Sequence, residues 1–258
     1  IANIKGFRRL LSAEKNPPVQ EFIDNNALPI FVEYLNRTDI KELQFEAAWA
    51  LTNIASTDRT NEVVNCKNAV SSLVKCLLSE HPEVRDQVAW CLGNIAGDSP
   101  KLRDEVLAVP GAMEGLLQNI ANPENLLLMR NCTWTLSNFC RGKPQPPMNI
   151  IQPCLPALKH LLYNCNDEPT MIDACWALSY ISDGDNDRIN SVISHDIIPC
   201  LLQMIASDQS TQITPALRTI GNIVSGDDKC TQAVVDAGFC SYASKLLEHP
   251  KKNIRKET

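Results

Sequence analysis

Three pairs of residues in this chain repeat one chemistry at one spacing: Trp49 with Asn53, Trp90 with Asn94, and Trp134 with Asn138. A separation of four places both members on one face of a helix. An indole face attracts a Lys or Arg cation by roughly 0.5–2 kcal/mol. A carboxamide can donate to one backbone carbonyl and accept from one backbone N–H. A lone helical Trp reads first as core packing. Asn, however, is an indifferent helix former that gains nothing from an apolar core. Its return one turn after Trp, three times, marks a group kept for its hydrogen bonds. Polar residues stand where long cationic stems would end: Gln87, Asn131 and Asp173 lie three before Trp90, Trp134 and Trp176, and Asp98 lies one turn after Asn94. Indole walls, carboxamide rungs and acidic ends together suit an extended peptide rich in Lys and Arg.

The elements that carry these pairs repeat as well. AAWALTNIAS (47–56), VAWCLGNIAG (88–97), CTWTLSNFCR (132–141), ACWALSYISD (174–183) and ALRTIGNIVS (216–225) align with their Trp column at 49, 90, 134, 176 and 218, the last occupied by Arg218. Intervals of 41, 44, 42 and 42 residues are the period of an all-helical solenoid. Residues 98–143 show the grammar of one period: a short helix, a break at Pro110-Gly111, a second helix (AMEGLLQNIA), a break at Asn122-Pro123, and a third helix from Glu124 to Cys140. Pro29, Pro156 and Pro199 fall near the start of second helices, where a missing N–H costs nothing. Three helices per period is the armadillo pattern. The chain reads as all-α, a right-handed superhelical solenoid of armadillo repeats forming one domain over 1–258. Its divisions are 1–12 (the end of a first repeat), full repeats 13–56, 57–98, 99–143, 144–184 and 185–226, and a partial repeat 227–258. Val84, Val88, Cys91, Leu92 and Ile95 make the core stripe of one third helix, with Trp90 and Asn94 rotated off it. Third helices in such a stack lie roughly 8–10 Å apart, and an extended chain advances roughly 3.3–3.6 Å per residue. An Asn row therefore meets a bound strand every two to three residues.

Composition narrows the function. With 24 Lys and Arg against 30 Asp and Glu, the net charge is −6, which argues against a nucleic-acid coat and for a basic partner. No apolar run reaches membrane-spanning length. The eleven cysteines lack disulfide or metal-knuckle spacing and fall in helical stretches, as small core residues of a reduced protein do. Asp183, Asp185 and Asp187 imitate a calcium loop, but Arg188 and Ser194 stand where it needs Gly and Glu, so the segment reads as a solvated turn. The glycines of GNIAGDSPK read as helix-end caps. KKNIRK (251–256) reads as the solvated start of a further third helix. No catalytic motif, metal ligand set or cofactor signature occurs, and the expectation is a binding protein without enzyme activity, metal or cofactor.

LQFEAAWALTNIAS, VRDQVAWCLGNIAGDSP, RNCTWTLSNFCRGKP, CWALSYISDG and ALRTIGNIVSGDD resemble successive armadillo repeats of the importin-α (karyopherin-α) family, and FRRLLSAEKNPP resembles the end of its first repeat. The irregular members match too: Tyr180 in place of Asn, and Arg218 in place of Trp. The resemblance implies an adaptor that shuttles between cytoplasm and nucleus and binds nuclear localisation signals of cargo proteins in a concave groove, antiparallel to the repeats. The major site it implies is Trp49, Asn53, Trp90, Asn94, Trp134 and Asn138, lined by Gln87, Asn131, Asp173, Trp176, Ser12 and Ser56. Asp98 and Thr60 would form the deepest lysine pocket. Ser12 would take the Asn column of the incomplete first repeat, and Arg8 its Trp column. Tyr180, Arg218 and Asn222 would edge a minor site.

The resemblance also implies importin-β as a partner through a basic N-terminal arm, and an export receptor through later repeats. Neither segment lies in the 258 residues, and with no initiator Met the chain reads as a trimmed piece. The turn IASTDRTNEV after Asn53 departs from the family pattern, being shorter and lacking its Gly. A second reading is a catenin-like armadillo scaffold that takes acidic partners in a basic groove. The charge beside the Trp column separates the two.

Overall fold

A computed structural model describes residues 1–258 as helices joined by short turns. The chain divides into two units, residues 1–139 and 140–258.

Unit 1 opens with α1 (Ala2–Leu11), which stands alone as a third helix. Three-helix repeats follow: α2 (Val19–Asp24), α3 (Leu28–Leu35) and α4 (Lys41–Ala55); α5 (Thr60–Asn65), α6 (Ala69–Cys76) and α7 (Pro82–Asp98); α8 (Pro100–Leu107), α9 (Ala112–Ala121) and α10 (Leu126–Cys140). The third helices α1, α4 and α7 pack in that order, each against the next. Their buried stripes follow the helical period: Leu43, Ala47, Ala50, Leu51 and Ile54 on α4, then Val84, Val88, Cys91, Leu92 and Ile95 on α7. Leu128, Cys132, Leu136 and Phe139 form the stripe of α10. This last helix begins two residues later than its sequence predicts. Asn125 Oδ1 accepts the Leu128 N–H at 2.9 Å, so Asn125 caps the helix.

Unit 2 is built from three-helix repeats of the same kind. It contains α11 (Met148–Ile151), α12 (Leu155–Asn164) and α13 (Glu168–Ser182); α14 (Asn186–Ile193), α15 (Ile198–Ala206) and α16 (Ser210–Val224); α17 (Asp228–Asp236), α18 (Cys240–Leu247) and α19 (Lys252–Glu257). KKNIRK does open a third helix, α19. Asp185 caps α14 by accepting the Arg188 N–H at 3.1 Å, which is what the acidic turn does here. Pro29, Pro156 and Pro199 sit in the first turn of α3, α12 and α15.

The corner from first to second helix is made by a residue with left-handed backbone in most repeats. Asn26, Asn68, Gly111, Asp196 and Gly238 hold φ between 54° and 95°, a region tolerated by Gly, Asn and Asp. In the repeat of α11 a 3-10 turn, Gln152–Cys154, replaces it. Eight of the eleven cysteines are buried and all are free. Burial pushes the Cys91 thiol up to about 12, as expected of a core residue and not of a metal ligand. No single helix is long and apolar enough to cross a membrane.

Candidate functional site

In unit 1 the three Trp positions of α4, α7 and α10, with Asn53 and Asn94, fall off the buried stripes, whereas Asn138 is buried at 4% exposure. Trp90 is 42% exposed, while Trp49 and Trp134 are half-buried. Glycine permits the approach of Trp134. A Cβ added at Gly93 would come within 2.4 Å of the Trp134 ring and 2.5 Å of Thr135 Oγ1, and one at Gly97 would lie 3.3 Å from the Asn138 carboxamide. Both glycines are interior to α7, whose end is taken by Ser99. They are close-approach positions rather than the helix-end caps expected from sequence.

The Asn row has a structural duty in addition to any ligand. Asn53 Nδ2 donates to Ser12 Oγ at 2.8 Å, Asn94 Nδ2 to the Thr52 carbonyl at 3.4 Å, and Asn138 Nδ2 to the Gly93 carbonyl at 3.3 Å. Each amide thus stitches its helix to the third helix before it. Asn53 and Asn94 are half-buried and keep a second N–H and an amide oxygen that a bound backbone could use, while Asn138 is buried. Ser12 joins the row as its column position requires. Ser56, exposed, donates to the Asn53 carbonyl at 2.8 Å. Asp98 is exposed at the last position of α7. An anion there opposes the helix dipole, so the helix itself gives no reason for it.

The flanking residues are more buried than their sequence positions suggest. Gln87 is 7% exposed, and its Oε1 is buried with no hydrogen-bond partner. Asn131 Nδ2 donates to Asp86 Oδ1 at 2.7 Å, and burial raises the Asp86 carboxyl above its usual value, against the opposing pull of that bond. Thr60 is the most deeply buried of the expected pocket residues. It is 2% exposed, and its hydroxyl donates to the carbonyls of Ala55 and Thr57 at 2.9 and 2.8 Å. It is the first residue of α5, with its hydroxyl held by the preceding turn.

In unit 2, Trp176 stacks on Tyr180 with centroids 6.0 Å apart and planes 23° apart. Asp173, half-buried on the same helix, has its carboxyl pushed up to about 6 by desolvation. Asn222 Nδ2 donates to the Ser179 carbonyl at 2.8 Å and to Ser182 Oγ at 3.2 Å. Arg218 pairs with Glu257, its Nη2 lying 2.9 Å from Oε2.

Comparison with known proteins places this geometry. The armadillo/β-catenin-like repeat family matches residues 15–56 and 143–183, and the HEAT-like repeat family matches 41–95. A designed armadillo repeat protein solved in complex with the peptide (KR)4 superposes with a TM-score of 0.81 at 26% identity, covering 89% of this chain and 95% of that one. Importin subunit alpha-1b of Oryza sativa subsp. japonica is 50% identical over 254 residues, 97% of this chain and 47% of its own length. Importin subunit alpha-B of Dictyostelium discoideum is 50% identical over 224 residues, 86% of this chain and 43% of its own. The chain belongs to the importin-α family. It spans about half the length of the curated relatives it matches. Those relatives are named as importin subunits, and the reading of this importin-α segment as a non-enzyme agrees with them.

Sequence reading missed residues in this importin-α segment that the structure brings to the rows. Glu46 lies three before Trp49, the register already recognised at Gln87, Asn131 and Asp173. Its carboxylate holds Arg8 at 2.7 Å. Glu257 stands in the same relation to Arg218: 39 residues separate that pair and 38 separate Arg8 from Glu46. Extending the three-before-Trp register to both ends of the array would have found both. Asp86 had no periodic signal.

Proposed function

We infer that this chain is the cargo-binding portion of a nuclear import adaptor. It takes Lys/Arg-rich nuclear localisation signals as extended peptides along the Trp/Asn row of unit 1, with Tyr180, Arg218 and Asn222 edging a second, partial site in unit 2. The carrying observation is the pairing of an exposed indole, Trp90, with an orphan acceptor one turn away, Gln87 Oε1. A buried acceptor left unpaired costs about 1–3 kcal/mol, and a turn of the Gln87 side chain toward a Lys or Arg head beside the indole would satisfy it. Asp98 supplies exposed negative charge at the end of the same helix. Asp173 is a half-buried carboxylate that a cation would favour in its charged form. In the whole protein, importin-β and an export receptor are further partners, and the adaptor shuttles between cytoplasm and nucleus.

The catenin-like alternative needs net positive charge beside the Trp column. The two arginines in that column, Arg8 and Arg218, are each neutralised by a glutamate, which favours a cationic ligand instead. Asp98→Lys tests the reading. A fluorescent Lys-rich peptide should lose most of its affinity for the variant, and the remaining binding should depend less on salt. Unchanged affinity and salt slope would remove Asp98 from the site.

A further inference from the structure

One cation already lies on the Trp row. The Arg8 guanidinium sits 4.1 Å from the Trp49 ring centroid. Its Nε donates to Glu46 Oε2 at 2.7 Å, and its Nη2 reaches Glu46 Oε1 at 3.4 Å. The side chains of Arg8 and Glu46 are 16% and 7% exposed, so the pair is largely withdrawn from water. A charge-assisted bond in such surroundings is stronger than an exposed one, and the indole adds its attraction. Helix order gives this a direction. α1 and α7 both pack on α4, so Arg8 reaches the Trp49 indole from the α1 side, while the Phe45 ring, its centroid 5.6 Å away, meets that indole from within α4.

We propose that Arg8, fixed by Glu46, is a resident occupant of the first indole slot and acts as a stop that sets where a cationic strand ends on unit 1. The proposal rests on the peptide-binding reading above and adds a specificity determinant to it. Arg8 holds the position that Trp holds in the following repeats, and an aromatic there would complete another slot for a ligand. With arginine there, the slot is filled from within, and Glu46 is spent on the chain's own cation. The other arginine of the column is treated alike: Arg218 is held by Glu257 in unit 2. In both cases the acid comes from the next third helix and from the register that elsewhere carries Gln87, Asn131 and Asp173. Removing the guanidinium would leave an indole face and an unpaired, mostly buried carboxylate side by side, which is a lysine receptor.

The test is calorimetry on the 258-residue chain with two peptides of alternating Lys and Arg, one of eight residues and one of ten. The unmodified chain should bind both within about threefold, the margin that an added register allows. Arg8→Ala should bind the ten-residue peptide about tenfold more tightly than the unmodified chain does, and Arg8→Ala with Glu46→Gln should lose most of that gain. If folded Arg8→Ala gains nothing for the longer peptide while the unmodified chain binds normally, the stop is overturned and the peptide-binding reading stands. If the unmodified chain binds neither peptide, both fall. A measurement without substitution guards against misfolding of the variant: the Arg8 Nε–H resonance, hydrogen-bonded to Glu46, should persist when the chain is saturated with the eight-residue peptide. Its loss into the exchanging guanidinium envelope would show that the ligand displaces Arg8, and would overturn the proposal.

Discussion

Unit 1 and unit 2 use one repeat grammar and dispose of their outward aromatic groups differently. In unit 1 three helices each keep Trp with Asn; Trp49 meets the Phe45 ring edge-on, and Trp90 is 42% exposed. In unit 2 Trp176 spends a face on Tyr180, and the next column position is Arg218, tied to Glu257. A Cβ on Gly93 would strike the Trp134 ring, 41 residues on in the next third helix, whereas Gly221, whose counterpart neighbour would fall near 262 and so outside the 258 residues, meets nothing within 4 Å. A shared scaffold thus leaves Trp90 open in unit 1, where Trp49 is already met by Arg8 and Phe45, and pairs Trp176 with Tyr180 and Arg218 with Glu257 in unit 2.

The largest expected effect separates the two tryptophans. Trp90→Ala should weaken a Lys-rich peptide about 30-fold, or about 2 kcal/mol, because cation–π attraction and the wall of a slot go together. Trp176→Ala should cost less, since Tyr180 already uses one of its faces. Equal losses in calorimetry would erase the distinction between the units.

The glycine pair comes next and concerns stability. Gly93→Ala should lower thermal stability by about 1–3 kcal/mol through overpacking against Trp134. Gly221→Ala should raise it by about 0.5–1 kcal/mol, the helix-interior gain of Ala over Gly. Denaturant melts of both variants would settle the signs, and a tolerated Gly93→Ala would mean that Trp134 does not lie against α7.

The asparagines divide duties more finely. Asn222 makes two bonds to α13, at 2.8 and 3.2 Å, and Asn94 makes one long bond, at 3.4 Å, to α4. Asn222→Ala should therefore cost about 1–1.5 kcal/mol of stability, and Asn94→Ala about 0.5 kcal/mol or less. For peptide affinity the order should reverse, with Asn94→Ala losing about 1 kcal/mol. The reverse ranking in either assay would show that the amides act only as stitches between helices.

The smallest effect is one of pH. The Asp173 carboxyl is raised from 3.8 to about 6, so the folded chain holds this proton more tightly than the unfolded chain does. Its contribution to stability is present below the usual carboxylate value and is lost as pH rises toward about 6. A peptide cation beside Asp173 favours the charged form, so affinity should rise a few-fold as pH climbs through that window. Asp173→Asn should flatten the rise, and a profile that is flat already in the unmodified chain would take Asp173 out of the ligand's reach.

The repeat frame was legible from sequence because each helix break is written in local chemistry. Pro110-Gly111 marks the corner before α9, and that helix covers Ala112–Ala121 as its apolar spacing predicts. That Trp and Asn share a helix face was legible for the same reason, since a four-residue spacing fixes it, but the burial of Asn138 was not. What escaped depends on contacts about 40 residues apart. Thr60 is a local exception: its burial follows from hydroxyl bonds within its own turn, to the Ala55 and Thr57 carbonyls. Gly93 and Gly97 read as caps because nothing local reveals that Trp134 and Asn138 approach them. The Arg8–Glu46 pair joins residues whose separate patterns were visible and whose meeting was not.

The central claim is that the outward row of unit 1 grips a stretched cationic strand. Calorimetric titration of the unmodified chain with a Lys/Arg-rich peptide and with the same peptide carrying Glu at each basic position tests it most directly. Saturable binding of the basic peptide that weakens as salt is raised, with none for the acidic one, is the predicted result. Equal binding of the two, or preference for the acidic peptide, would contradict it.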